Sequence, residues 1–517
     1  MSAAYTTPIP NAQAFARSTA KIREMHEHLS SSGTLRAEHG EVECWLEVEG
    51  RELLRLMLQE HLDARAAAER RVPVRGADEV ERTQVRDGER GLESVFGEVD
   101  VGRMLYQAEG HEGLAPLDAV LNLPRDHFSH GVRRFVAKEI ARASYDEVAE
   151  LIGDRSGAKI AKRQIEELAV RAAQDFDAFY ELRKRERETT SKLLVISTDG
   201  KGIRMRHEDL LEATRKAAEQ YAPKLGTRRA PGEKPSKRMA QAAAVYSITP
   251  WPRSAAAVLH ALREGGSDDD RPEPENKRVF ASVEKSQRKQ IRAAFEEAHR
   301  RDPQHRRRWV VLVDGAPHQL RAVKKEAKRL GVKVTIVLDV IHVLEYIWKA
   351  ARAIFGQADE QAESWVSDRL LALLTGRSGG DVARTIRWWA QSRADDLDER
   401  DEAAIDEATR YLASRTLTRI MRYADALRDG LPIATGVIEG TCRYLVKDRM
   451  ERTGAFWSVE GAEAVLRLRA LRASGDFDEY WHFHLAREKE RNHAARYANG
   501  QIPDPLPGKR PHLTRIK

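Results

Sequence analysis

Three apolar runs in this chain end in an acid. Lys192-Leu193-Leu194-Val195-Ile196-Ser197-Thr198-Asp199-Gly200 and Trp309-Val310-Val311-Leu312-Val313-Asp314-Gly315 both lead into Asp-Gly, and Lys333-Val334-Thr335-Ile336-Val337-Leu338 leads into Asp339. A short continuous apolar run bounded by turn residues reads as a fully buried strand, which predicts each acid at a carboxyl end, where scaffold meets solvent. One such aspartate is an ordinary turn residue; the repetition is the signal. Strands that end in aspartate on the same edge of one sheet can bring their carboxylates together. Hard oxygen ligands suit Mg²⁺ or Mn²⁺. Two such ions about 3.5–4 Å apart activate an attacking oxygen and stabilise a leaving one in phosphodiester chemistry. A third acid usually completes the cage, and Glu439 offers it from an expected helix within Gly436-Val437-Ile438-Glu439-Gly440-Thr441-Cys442-Arg443-Tyr444-Leu445-Val446-Lys447-Asp448-Arg449-Met450. Arg443 and Lys447 follow Glu439 at i+4 and i+8, and Arg449 is near. A plain Glu439–Arg443 pair is one reading; an acid and cations beside a phosphate backbone is the other.

The elements that would position these acids alternate. Pro317 opens an expected helix over 318–330 and Gly331 closes it, so strand, helix and strand predict a mixed α/β core with a crossover connection. Ile203-Arg204-Met205-Arg206 reads as a second strand and Ala242 to Ile248 as a third, with a basic, proline-containing loop over 224–238 between them. Residues 264–278 read as a flexible insertion, and 283–300 as a helix. Residues 343–432 are almost wholly helical, with Trp348, Trp365, Trp388 and Trp389 assigned to the core. Upstream, residues 1–90 read as helical and charged, and 95–106 as a small β element. Ser144-Tyr145-Asp146-Glu147 is a capping box. Gly153 to Gly157 then breaks the helix, and a second begins near Lys159 with Lys162 and Arg163 on its first turns. Short helix, glycine turn and basic second helix are the parts of a helix-turn-helix, with an ordinary helical hairpin as the alternative.

The chain has 517 residues, enough for several domains with proper cores. Lys and Arg number 88 against 81 acids, a net +7, so distribution matters more than total. Basic residues bunch at 224–238 and 300–308, where a polyanion partner and a solvated surface are both open readings. No run approaches the roughly 18 apolar residues that span a bilayer, and the N-terminus lacks signal-peptide order; a cytoplasmic protein with no membrane partner is expected. With only Cys44 and Cys442, neither a disulfide framework nor a four-cysteine zinc site is available within one chain.

Taken together, Ser197-Thr198-Asp199-Gly200, Val311-Leu312-Val313-Asp314-Gly315-Ala316, Asp339-Val340-Ile341-His342 and Val437-Ile438-Glu439-Gly440 resemble the motifs of bacterial insertion-sequence transposases of the ISKra type, with a core similar to the Mutator-like branch of DDE transposases. The resemblance covers roughly residues 95–490, including Phe96-Gly97-Glu98-Val99 and Tyr480-Trp481-His482-Phe483-His484. It implies an RNase H-like mixed sheet interrupted by an all-α insertion, with Asp199 on the first strand, Asp314 on the fourth, and Glu439 on a helix after the insertion. It implies two Mg²⁺ or Mn²⁺ ions held by Asp199, Asp314 and Glu439, with Asp339 as an auxiliary acid and His342 of the Asp-x-x-His element positioning DNA or the leaving strand. The expected partners are double-stranded DNA (terminal repeats and target) and further copies of the chain, as a homodimer or higher assembly near the nucleoid. Lys159, Lys162 and Arg163 are expected to contact DNA from the helix-turn-helix, and Arg228, Arg229, Lys237, Arg238, Arg443, Lys447 and Arg449 from the core. The domains expected are 1–90, a helical region; 91–188, β element and helix-turn-helix; 189–345, catalytic core; 346–431, helical insertion; 432–490, the helix of the third acid with the C-terminal helices; and 491–517, a basic tail. A derived DNA-binding protein without transposition activity, and another RNase H-like nuclease or resolvase, are the alternatives.

Overall fold

Each of the three acid-ending runs forms a strand of one five-stranded mixed sheet. The computed structural model describes residues 14–183, 190–221, 235–264, 271–356, 360–416, 418–452 and 454–507. The chain divides into two units, Met1–Glu181 with Phe477–Lys517, and Leu182–Asp476. The stretch 432–490, expected as one region, is therefore shared between them.

In the first unit, α1 (Ala16–Leu29) and α2 (His39–Ala68) precede a two-stranded antiparallel hairpin, β1 (Gln84–Ser94) and β2 (Gly97–Gln107). Gln59 of α2 exchanges hydrogen bonds with the main chain of Asp100, 2.9 and 2.7 Å, over an apolar cluster of Leu62, Leu92, Val99, Val101 and Leu123. The expected β element is thus longer than 95–106, because β1 adds polar residues that only its partner strand organises. After α3 (Pro116–Leu121) and α4 (His130–Glu139), Ser144 caps α5 (Tyr145–Ser156) in a reciprocal capping box with Glu147. Gly157 ends α5 at φ +74°, a left-handed position that glycine takes without strain. The next helix, α6, runs Lys162–Ala173, leaving Lys159 in the turn. Then comes α7 (Phe176–Leu182). Within this unit the late helix Phe477–Asn492 returns to it: Tyr480 donates to the Ala172 carbonyl at 2.6 Å, and buried His484 meets Asp175 at 2.7 Å.

In the second unit, β3 (Leu193–Arg204), α8 (Glu212–Glu219), β4 (Lys237–Ile248), α9 (Ala255–Glu264), β5 (Glu275–Ser282), α10 (Gln287–Arg301), β6 (Trp309–Val313), α11 (Pro317–Leu330) and β7 (Val334–Leu338) follow one another. The sheet order is β5-β4-β3-β6-β7. The pairs β3/β4 and β4/β5 are antiparallel; β3/β6 and β6/β7 are parallel. Every residue of β6 is buried, as in a parallel strand whose sheet is covered on both faces. Two expectations are corrected. Ile203 and Arg204 belong to β3 itself, because β4 keeps pairing with it through Arg204↔Lys237; Asp199 therefore lies within the strand and not at its end. Glu275 to Arg278, placed in a flexible insertion by their polarity, begin β5, where Arg278 is buried against Glu297 at 2.6 Å.

A long helical segment comes next: α12 (Val340–Phe355), α13 (Glu360–Leu374), α14 (Gly379–Gln391), α15 (Glu399–Thr416) and α16 (Tyr423–Arg428). Trp365 is buried, but Trp388 is 62% exposed and does not serve the core. The chain then re-enters the sheet region as α17 (Gly436–Thr441), a π-helical turn over Cys442–Lys447, α18 (Asp448–Met450) and α19 (Val459–Ala473). No helix among the described residues is long and apolar enough to cross a membrane.

Within the basic run 300–308, Arg301 and Arg307 are internal, while Arg306 and Arg308 are exposed. Arg301 is fully buried on Glu297, 2.8 Å, and Arg307 donates to the carbonyls of Lys192 and Leu193 and to Ser247, at 2.9, 2.9 and 2.7 Å. Asp302 accepts from the Trp309 indole and from the Arg306 and Arg307 amides. These bonds lock the starts of β3 and β6 and the end of β4 against one another.

Candidate active site

The strand registers align the acids. Ser197↔Leu312 is the last rung of β3/β6, and two rungs further the same register sets Asp199 opposite Asp314. Val313↔Leu338 is the last rung of β6/β7, and one rung further sets Asp314 opposite Asp339. Adjacent strands lie roughly 4.8 Å apart, so three aspartates form a row along the edge where the parallel strands end. Buried Gln319, on the first turn of α11, locks the row: its oxygen accepts from the Asp314 amide at 3.2 Å and its nitrogen donates to the Thr198 carbonyl and hydroxyl, both at 3.2 Å. The Asp339 amide donates to the Val313 carbonyl at 2.8 Å.

Each carboxylate has its own surroundings. Asp199 accepts from the Gly200 amide at 2.6 Å, and the buried Cys442 thiol feels its charge. Burial, then the Asp199 charge, holds that thiol far above its ordinary pKa. Asp314 turns back to accept from the Ala316 amide at 2.8 Å. Asp339 caps α12 through the Ile341 amide at 3.0 Å and receives the Thr435 hydroxyl and, at 3.4 Å, the Thr435 amide. Burial nevertheless pushes the Asp339 carboxyl above its usual range, against those hydrogen bonds. Thr435 also reaches Glu439 at 3.4 Å. The Glu439 carboxyl is raised by burial first, then by the Asp339 charge, with Asp199 adding to it. Glu439 thus stands electrostatically beside both Asp339 and Asp199. None of these four acids forms an ion pair with a Lys or Arg among the described residues. His342, half-buried on the first turn of α12, stands 3.6 Å from Glu345 and favours the ionised form of Asp339.

Among the described residues, no three His, Cys, Asp or Glu side chains are grouped closely enough to hold a metal ion. The backbone row is formed, while the carboxylates of Asp314 and Asp339 are spent on nearby amides and Thr435.

The expected DNA contacts separate by exposure. Lys159, Lys162 and Arg163 are exposed in the first unit; Lys162 pairs with Asp146 at 2.7 Å and Arg163 with Glu167 at 3.2 Å. In the second unit Lys237, Arg443 and Lys447 are exposed. The π-helical turn is wider than an α-helical one, so the i+8 spacing of Lys447 no longer marks the face of Glu439. Arg238 spends its guanidinium on the carbonyls of Val283 and Asp209, 2.9 and 3.4 Å. Arg449 is buried with its guanidinium 4.8 Å from the Trp457 ring centre, so burial removes it from any surface that meets a phosphate. Arg228, Arg229 and the 509–517 tail lie outside the described residues.

Sequence reasoning missed Gln319, Tyr411, Thr435 and Cys442. The Tyr411 hydroxyl donates to the Asp314 carbonyl at 2.9 Å from α15, and its ring stacks on Tyr346 at 3.9 Å. Only the fold brings these partners together, and no spacing signal marks them. No protein-family model matches the chain, and no curated protein matches its sequence.

Proposed function

We propose that this chain is a DDE-type transposase with an RNase H-like core, which cleaves and joins DNA at the acid row. The observation that carries the reading is the register: continued past its last rungs, it lines up Asp199 of β3 with Asp314 and Asp339, the residues that follow β6 and β7, and Glu439 of α17 feels the charges of Asp339 and Asp199. Two features support it. The sheet places its strands in the order third, second, first, fourth, fifth, with only the second running against the rest. The helices α13 to α15 stand between the last acid-bearing strand and the glutamate.

The donor set fits divalent metal. The acids are hard oxygen ligands, and no Lys or Arg among the described residues neutralises them. Asp199, Asp314 and Glu439 would hold Mg²⁺ or Mn²⁺, with Asp339 as auxiliary. Bound there, the ions supply an activated attacking oxygen and a stabilised leaving oxygen. The chain's own contribution is positioning. Gln319 ties the Asp314 turn to Thr198 beside Asp199, and the Thr435 hydroxyl lies within reach of both Asp339 and Glu439. Metal binding would exchange the amide bonds of Asp314 and Asp339 for the cation. Lys237, Arg443 and Lys447 would hold phosphates nearby, and Lys159, Lys162 and Arg163 would contact the element's ends, in a dimer or larger assembly on DNA.

The test uses purified protein, Mg²⁺ and a plasmid carrying the DNA that flanks its own gene. Asp199→Ala, Asp314→Ala and Glu439→Ala are each expected to abolish cleavage while DNA binding in a gel shift persists. Unchanged cleavage by all three variants would overturn the assignment. Joining of a labelled 3′ end to a second duplex marks a transposase; cutting without joining would leave only a nuclease or resolvase.

A further inference from the structure

We infer that Arg415, delivered by the last turn of α15, is a phosphate-binding residue of the acid site, gripping a phosphodiester of the nucleic acid beside Asp314. This rests on the phosphodiester reading above. Gly315, the residue after Asp314, has φ +87°, and a Cβ built on it would lie 3.2 Å from Arg415 Nε and 3.4 Å from the Tyr411 hydroxyl. The lack of a side chain there lets the guanidinium and the phenol close on the turn that carries the acid. Tyr411 anchors this arrangement: its hydroxyl is bonded to the Asp314 carbonyl, its ring is stacked on Tyr346, and the Arg415 guanidinium lies 5.2 Å from its ring centre.

The bonding of Arg415 is incomplete. Its Nε is buried without a hydrogen-bond partner, and its guanidinium forms no ion pair among the described residues. A buried N–H left unmade costs free energy, and a guanidinium against a turn that carries an aspartate would ordinarily pair with it. Here the stack on Tyr411 holds it against the Asp314–Gly315 turn with its donors unspent. A planar fork of N–H donors matches the two non-bridging oxygens of a phosphate. Placed next to an acid row, it would bind the charge of the phosphodiester that the acids process. Arg415 lies within the helical segment, so that segment would complete the site.

The experiment compares the full-length wild type with Arg415→Ala, Arg415→Lys and Arg415→Gln, each checked for an unchanged melting temperature within a few degrees. Two quantities are read: single-turnover nicking of a supercoiled plasmid in Mn²⁺, and the salt dependence of binding to a duplex oligonucleotide with Ca²⁺ in place of Mn²⁺. Arg415→Ala is expected to slow nicking on the order of a hundredfold and to reduce the slope of log K against log salt by about one phosphate contact. Millimolar guanidinium should restore part of the rate to Arg415→Ala but not to Glu439→Gln, which a merely structural role would not produce. Arg415→Lys should keep the salt slope while losing rate. Wild-type rates and slopes in Arg415→Ala and Arg415→Gln would overturn the inference and leave the acid site standing. A wild-type protein that neither nicks nor binds would overturn the parent reading, and this one with it.

Discussion

Glu439 carries the sharpest consequence at the scale of single residues. Its carboxyl is pushed above the ordinary 4.5 by partial burial first and then by the charges of Asp339 and Asp199. A raised acid pKa means that ionisation opposes folding: the metal-free protein loses stability as pH rises from about 4.5 through the folded value. Glu439→Gln cannot ionise, so its melting temperature at neutral pH is expected to equal or exceed that of the wild type without metal. That advantage should fade as the pH falls toward 4.5. With Mg²⁺ present the order should reverse, because the wild type gains a ligand and the variant does not. Calorimetry at two pH values with and without metal reads this directly; a Glu439→Gln protein less stable than wild type without metal would contradict it. Gly315 gives a second prediction. A Cβ there meets Leu338 Cδ1 at 2.6 Å on a backbone of φ +87°, so Gly315→Ala should cost on the order of 1–3 kcal/mol in denaturant unfolding and displace Tyr411 and Arg415 from the Asp314 turn.

At the scale of elements, the acid row depends on registers that are set away from it. Arg307 ties the carbonyls of Lys192 and Leu193 to Ser247 at the far end of β3 and β4, and Asp302 holds the amides that lead into β6. Arg307→Ala would leave these buried carbonyls unpaired. It should cost on the order of 3 kcal/mol in urea unfolding and lower activity although the residue stands at the opposite end of the strands. In the first unit, Asp175 is buried, which by itself would raise its pKa, but hydrogen bonds from His484 and Arg491 leave it below the ordinary value. A depressed carboxyl stabilises the fold above its unfolded pKa and loses that contribution as pH falls through the folded one. Asp175→Ala should therefore be destabilised at neutral pH, and the gap to wild type should close below about pH 4. The strands of the row were legible from their apolar runs, their turn residues and Pro317, because burial on both faces leaves a compositional trace. What stayed hidden was set by partners: β3 runs past Asp199 only because β4 accompanies it, and β5 begins among polar residues only because Glu297 receives Arg278. Basic runs were the least informative signal, since Arg301, Arg307 and Arg449 are internal while Arg443 and Lys447 are exposed.

At the scale of the whole molecule, the cations of the α5–α6 pair and the acid row belong to different units. Exposed Lys159, Lys162 and Arg163 stand on the α5–α6 pair of the first unit, and the acid row belongs to the second. Neutralising the three cations should weaken binding to element ends and flatten its salt dependence, while Mn²⁺-dependent nicking of plasmid persists. The candidate acids Asp199, Asp314, Asp339 and Glu439 could be picked out of the sequence because they end apolar runs or precede a cationic helix. The groups that hold them (Gln319, Thr435, Tyr411) could not, since each acts across a long stretch of chain. Whether these acids jointly hold divalent metal is read from the anomalous scattering of Mn²⁺ in crystals of the full-length protein. Mn²⁺ peaks are expected among Asp199, Asp314 and Glu439, with the Asp314 carboxylate swung from the Ala316 amide toward the ion. Crystals grown in Mn²⁺ with no peak at the row, and the carboxylates still on their amides, would contradict joint metal binding by these acids.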